Sequence, residues 1–216
     1  FGVYAEGYEA MATAVAGGSC PPIPAECGVK LPFYPCLYDP SDIAFAYYPS
    51  LVDNPLYMHD LKSFSSDVTA GKLPAFSFVK TIGYKTEHPG YGTKISTGMG
   101  ATQAIVEAIL AGPQANDTLI LITWDEGGGY FDHVPPPPTS SIDGKPYGTR
   151  VPLLAVGRFA RKNAVSHVVM EHSSIVKFLE HNFLGATGQL GGRDTEVANI
   201  GSLLDPTQTG IAVPEN

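Results

Sequence analysis

Hydrophobic and polar positions along this chain settle into a few runs long enough to name. Residues 119–123 are an unbroken apolar run of strand formers ending in Thr123, followed by Trp124, then abruptly by the carboxylates Asp125 and Glu126. Such a run reads as a strand covered on both faces, as in parallel sheets. Residues 74–79 read as a shorter buried strand, and residues 151–156 as the next parallel one. Ile105, Val106, Ile109 and Leu110 recur at helical spacing, with Gln103 on one face, and predict a crossover helix over 97–111, stopped by Pro113. Residues 60–70 predict a helix with Asp60 as N-cap, Leu61, Phe64 and Val68 on one side, and Gly71 as its stop. A last helix over 174–183, capped by His172 or Ser173, turns Ile175, Phe178 and Leu179 inward. An Ala-rich stretch within residues 1–16 adds a short one. Strands alternating with helices make this an α/β chain with a mostly parallel sheet.

Between these runs the pattern stops. Residues 17–55 are rich in Pro, Gly, Cys and aromatic residues and read as an irregular insertion packed by Phe33, Tyr34, Tyr38, Phe45, Tyr47 and Tyr48. Residues 81–96 form a glycine-rich loop holding Glu87, His88 and Pro89. If the strand before that loop runs parallel to the one after it, His88 emerges on the same side as Asp125. Pro135 opens a stiff, extended connection through residue 146. Beyond residue 185 the periodicity is lost, and 203–216 read as a tail or an interrupted continuation.

Composition narrows the class. With 44% hydrophobic and 16% charged residues, 216 residues suffice for one substantial core, so a single domain is expected. Twenty-one acidic against 13 basic residues, with no basic cluster, argue against nucleic acid as a partner. A phosphate ester stays open as substrate, because a bound divalent cation supplies positive field locally. No stretch reaches the roughly 20 apolar residues that span a bilayer. Cys20, Cys27 and Cys36 match no common zinc module; outside the cytoplasm two of the three could form a bridge, and in a reducing compartment all would be free. Asn116 opens an N-glycosylation sequon, meaningful only in a eukaryotic secretory pathway.

The chemistry concentrates after residue 123. Adjacent carboxylates at a strand end suit a divalent cation, since hard cations take oxygen ligands. Asp125 and Glu126 are therefore the candidate metal ligands, with the alternative that Glu126 turns outward, because successive side chains along a strand point to opposite faces. Three glycines let the chain turn sharply and return with Asp132 and His133. Strand-then-acid also describes the Mg²⁺-holding half of a nucleotide-hydrolysing site, but no phosphate-cradling G-x-x-x-x-G-K-[ST] motif accompanies it. A solvated loop of no function is the other reading, and the conjunction of strand, acid pair, glycines and Asp-His weighs against it. His59, His167 and His181 fit helix ends or surfaces.

The run Trp124-Asp-Glu-Gly-Gly-Gly-Tyr-Phe-Asp-His-Val-Pro-Pro-Pro137 closely resembles the signature of the phosphoesterase family of phospholipases C and acid phosphatases, within the alkaline phosphatase superfamily. The resemblance continues through Glu87-His-Pro89, Gly148-Thr-Arg-Val-Pro152 and Glu171-His-Ser-Ser-Ile-Val-Lys-Phe-Leu-Glu180. It implies a three-layer αβα fold of which this chain is the C-terminal portion. It further implies an exported, secreted or periplasmic hydrolase of phosphoric esters, phospholipids among them, working by metal-assisted phosphoryl transfer. Asp125 and Glu126 would then hold a divalent cation, and His88 and His133 would handle phosphoryl oxygens and protons. His172, at a helix N-terminus, would bind substrate, and Asp132 would orient His133 or stabilise its turn. In such enzymes a front portion carries the nucleophile and further metal ligands, so an N-terminal fragment of the same precursor is an expected partner. No Ser or Thr here sits in a recognisable nucleophile motif. The alternative is a non-catalytic relative that binds phosphate or protein through the same cleft.

Overall fold

The computed structural model describes residues 1–16, 43–89 and 94–216. The three cysteines, with Phe33, Tyr34 and Tyr38, lie outside the described residues. The chain packs into two compact units, Phe1–Ala115 and Asn116–Asn216.

The first unit is built on a parallel three-stranded sheet. Strand β1 (Gly2–Ala5) runs between β2 (Met58–Asp60) and β3 (Ser77–Lys80), with Val3 opposite both Met58 and Phe78. Neither β1 nor β2 stands out in the hydrophobic pattern: β1 lies in the stretch whose alanines suggest a short helix, and β2 holds His59 and Asp60 among its three residues. All of β1 is buried, and its alternation divides the work. Val3 and Ala5 join Tyr8, Ile43 and Met58 in one core, against which Phe45 and Phe78 pack. Tyr4 points the other way, stacks on His59 and meets Phe64 edge-on, and its hydroxyl donates to Asp67 Oδ2 at 2.9 Å. Burial, then Asp67, raises the phenol pKa. Each large side chain so buried contributes about 1.5–3 kcal/mol.

Helix α1 (Tyr8–Ala16) follows β1 directly. Asp60 is an N-cap as expected, but of a 3₁₀ turn, Leu61–Ser63, where it accepts from the Lys62 N–H. Its second oxygen accepts from the Glu9 N–H at 3.0 Å, tying α1 to the end of β2. Helix α2 (Phe64–Ala70) then buries Phe64 and Val68 and stops at Gly71, whose φ of 65° is the left-handed conformation glycine adopts without strain. Helix α3 (Ile95–Ala111) starts two residues earlier than the periodicity predicts. It is not a crossover between parallel neighbours: β3 pairs with β1, while the strand after α3 belongs to the sheet of the second unit.

In that second unit β4 (Ile120–Thr123) pairs with β5 (Leu153–Val156), and the pairing is antiparallel, not parallel as residues 151–156 suggested. A parallel return needs a crossover, usually a helix laid across the sheet. Residues 124–152 contain only turns and extended chain, so β5 comes back alongside β4 in the opposite sense. The expectation of a parallel sheet's carboxyl edge at Asp125 falls with it.

Helix α4 (His172–Leu179) begins with Glu171 as N-cap, in place of the expected His172 or Ser173. Glu171 accepts from the Ser174 N–H, and Ser174 Oγ accepts from the Glu171 N–H at 3.0 Å, a capping box with acid and hydroxyl exchanged. The helix runs into a π-helical turn, Glu180–Leu184, closed by Gly185. Residues 203–216 are no tail, and Leu204, Ile211 and Val213 belong to the packing of this unit. Ile200 and Leu204 are 0% exposed and form the core of this unit with Phe178, while Leu121, Leu153, Ile211 and Val213 pack around them.

Candidate functional site

Antiparallel pairing decides what surrounds the acid pair. With Thr123 opposite Leu153, residues following β4 lie beside residues preceding β5, so two of the family-like segments meet. Thr123 Oγ1 donates to the Pro152 carbonyl at 2.9 Å, extending the ladder by one contact. The glycine run has separate physical reasons. A Cβ on Gly127 would lie 2.0 Å from Thr149 Oγ1, so this position admits the hydroxyl only because no side chain is there. Gly128 and Gly129 take φ of 61° and 74°, turning the chain back. On this loop both acids are exposed. Asp125 Oδ1 accepts from the Glu126 N–H at 3.1 Å, and Glu126 Oε2 from the Gly128 N–H at 2.6 Å. Glu126 is thus folded onto its own turn.

Asp132 bonds both to its own turn and to Arg150. Its carboxylate accepts both Arg150 Nε and Nη2, at 3.0 and 3.2 Å, and the Val134 N–H at 3.0 Å. The Val134 N–H first, and Arg150 with it, hold its pKa below the ordinary carboxylate value. His133 stands 3.8 Å from Asp132 and is 83% exposed, so Asp132 pins the turn to Arg150 and leaves the imidazole in solvent. The sequence placed Arg150 only as the start of a strand; in the structure it clamps the loop.

His172 Nε2 lies 2.8 Å from the Trp124 carbonyl. Because a carbonyl only accepts, Nε2 carries the proton, and in the neutral ring Nδ1 holds the lone pair. The imidazole therefore braces the residue before Asp125. Behind it, Glu171 accepts from Arg193 Nη1 at 3.0 Å, and Arg193 forks onto Asp143 with two contacts of 2.9 Å, its guanidinium lying over the Tyr147 ring. Arg193 holds the Asp143 carboxyl down at about 2. Glu171 and Arg193 were missed. A reversed capping box is readable from Glu171 and Ser174, but an arginine in an unpatterned stretch gives no signal.

His88 belongs to the first unit, in the loop after β3. Its Nδ1 donates to the Pro89 carbonyl at 2.7 Å, which makes Nε2 the lone-pair nitrogen of the neutral ring. The loop is seated from two sides. Glu6, just past the end of β1, accepts the Ile82 N–H at 3.1 Å and pairs with Lys85. Gly98 of α3 comes so close that a Cβ would stand 2.5 Å from the Lys85 carbonyl oxygen and 2.8 Å from Glu87 Cγ.

Among the described residues no three His, Cys, Asp or Glu side chains gather as a metal-binding group. Asp125 and Glu126 are oxygen donors of the right kind for a hard cation, and they fit as two members of a ligand set. Described residues supply no third. No helix of the described residues is long and apolar enough to cross a membrane.

Comparison with known proteins accounts for the combination. Non-hemolytic phospholipase C of Pseudomonas aeruginosa is 30% identical over 162 residues, covering 62% of this chain and 23% of that protein. Non-specific phospholipase C6 of Arabidopsis thaliana is 28% identical over 71% of the chain and 34% of its own length. Phospholipase C B of Mycobacterium tuberculosis is 29% identical, over 71% and 32%. The chain thus spans about a quarter to a third of these relatives. A profile of the phosphoesterase family matches residues 37–184, which include His88, the acid loop, Arg150 and His172. By that match the chain belongs to the phosphoesterase family.

Proposed function

We propose that this chain is the part of a phosphoric ester hydrolase that carries Asp125 and Glu126, with a phospholipid or other phosphate ester as substrate. The observation that carries the reading is the family match, joined to a glycine-built loop that leaves both carboxylates side by side and exposed. Names of the relatives, all phospholipases C, point the substrate toward phosphodiesters of lipids. A three-layer αβα fold and export from the cell belong to the same proposal.

The roles follow from placement. Asp125 and Glu126 would hold a divalent cation together with ligands beyond those described, and such a cation, when bound, would stabilise negative charge on phosphoryl oxygens. His133, exposed on the same loop, would exchange a proton with a departing oxygen. His88, with Nδ1 donating to Pro89, would donate from Nε2 to a phosphoryl or ester oxygen only as the doubly protonated imidazolium. His172 would act by bracing Trp124 and so the acid pair, which is a different task from binding substrate directly.

Hydrolysis of a chromogenic phosphate monoester and diester, measured alongside calorimetric titration with Mg²⁺, Mn²⁺, Ca²⁺ and Zn²⁺, tests this. Asp125→Ala is expected to abolish both cation uptake and turnover. Turnover unchanged in that variant would overturn the reading. A second reading, a non-catalytic phosphate binder, draws support from the two-ligand set; retained binding of inorganic phosphate with no turnover in the unmutated protein would favour it.

A further inference from the structure

We propose that Arg193 is a positioning residue for the acid loop, acting through two arms that converge on Asp125 and Glu126. This rests on the hydrolase reading only for its kinetic consequence. One arm runs through α4: Arg193 Nη1 donates to Glu171 at 3.0 Å, Glu171 caps the helix, and the next residue, His172, bonds the Trp124 carbonyl at 2.8 Å, one residue before Asp125. The other runs through the connection before β5. Arg193 forks onto Asp143 and covers Tyr147, and two residues on Thr149 meets Gly127 and Arg150 holds Asp132.

Only an arginine fits this node. Its planar fork gives two parallel donors to Asp143 while the remaining nitrogen reaches Glu171, and the same plane stacks on an aromatic ring. A lysine keeps the charge and loses the fork. Arg193 and Glu171 are mostly buried, so solvent does not readily replace that contact, while Asp143 lies at the surface. Position 193 lies outside the residues matched by the family profile, which ends at 184. The node therefore holds family-like segments from outside their own span.

Trp124 is the only tryptophan of the chain, so its emission reports directly on the residue preceding Asp125. The experiment compares Arg193→Ala, Arg193→Lys and the unmutated protein, all metal-free, by Trp124 emission and acrylamide quenching, with circular dichroism to establish that each is folded. Folded Arg193→Ala should show red-shifted emission and stronger quenching, and Arg193→Lys should fall between it and the unmutated protein. With substrate, kcat should drop about 10- to 100-fold, the range for loss of an outer-shell partner, while KM stays nearly constant. Folded variants whose emission, quenching and kcat match the unmutated protein would overturn the proposal. Should Arg193→Ala fail to fold, Arg193→Lys decides it by the same readouts. The fluorescence comparison needs no turnover, so it decides the positioning role even if the hydrolase reading fails.

Discussion

Two pairs of acids in the second unit are made of the same residue types and live opposite lives. Asp125 and Glu126 stand exposed on a glycine loop, each bonded to a backbone N–H of its own turn. Glu180 and Asp194 are 4% and 3% exposed, and each carboxylate accepts two backbone N–H groups: Gly188 and Gln189 for Glu180, Leu190 and Gly192 for Asp194. The buried pair turns an otherwise irregular loop into a fixed one, since an N–H buried without an acceptor would cost free energy. The exposed pair fixes very little of the fold. A carboxylate already saturated with donors has nothing left to offer a ligand, and one held at the edge of its loop does.

That contrast can be broken by mutation, and the largest effect expected is on activity. Asp125→Asn should lower turnover by more than about 100-fold, beyond the usual cost of losing an outer-shell partner, because a direct ligand is lost. Its melting temperature should hardly move, as surface substitutions usually stay within about 0.5 kcal/mol. Steady-state kinetics beside a thermal melt checks both halves. A large fall in stability would mean that the acid loop is architecture after all.

Asp194→Ala is the mirror experiment. It leaves the part-buried Leu190 and Gly192 N–H groups without their acceptor, and a loss of about 1–3 kcal/mol is expected, since water can reach part of what the carboxylate held. Urea unfolding measures it. The folded fraction should keep nearly full specific activity, and a selective loss of turnover without loss of stability would erase the distinction between the pairs.

Asp143 offers a milder test, because it is a structural acid with a partner that also serves the site. Its folded pKa, drawn down to about 2 chiefly by Arg193, lies below the ordinary aspartate value it regains on unfolding. A depressed carboxylate stabilises fully above about pH 4, and that stabilisation fades as pH falls toward 2. The gap in melting temperature between the unmutated protein and Asp143→Asn should therefore be constant above about pH 4 and close below it. A gap that persisted unchanged to pH 2 would mean that the carboxylate's charge is not what holds Arg193.

How much of this was legible follows from the same physics. The strand at 119–123 was legible as an apolar run and the helices expected over 97–111 and 60–70 by their period, the second beginning as a 3₁₀ turn, and Gly71 because a helix stop there favours positive φ. The acid loop drew attention because two acids and three glycines directly follow an apolar run. Sheet partners were not legible: nothing within residues 151–156 distinguishes a parallel from an antiparallel neighbour, and the deciding fact, an unhelical connection, lies between the strands. Glu180, Asp194 and Arg193 were silent because their partners are backbone groups or side chains many residues away. Ile200 and Leu204, at 0% exposure, are buried by irregular chain that has no period to read.

The smallest expected effect separates two glycines that both look like loop-permitting residues. Gly98 faces the Lys85 carbonyl oxygen, where a Cβ would stand at 2.5 Å, and a backbone group in a seated loop has nowhere to move. Gly127 faces Thr149 Oγ1, the tip of a side chain that can rotate or be removed; its Cβ would then stand 3.2 Å from Thr149 Cβ, tight but tolerable. Gly98→Ala should thus cost stability, about 1–3 kcal/mol as overpacking usually does, and no single side-chain truncation should restore it. Gly127→Ala should cost less, and adding Thr149→Ala should return part of that loss, so that the pair couples in a double-mutant cycle by about 0.5 kcal/mol or more. If the two substitutions at 127 and 149 simply add, the close approach of the two family-like segments is not the reason for a glycine there, and the acid loop would have to be held by its other contacts, Asp132 with Arg150 and His172 with the Trp124 carbonyl.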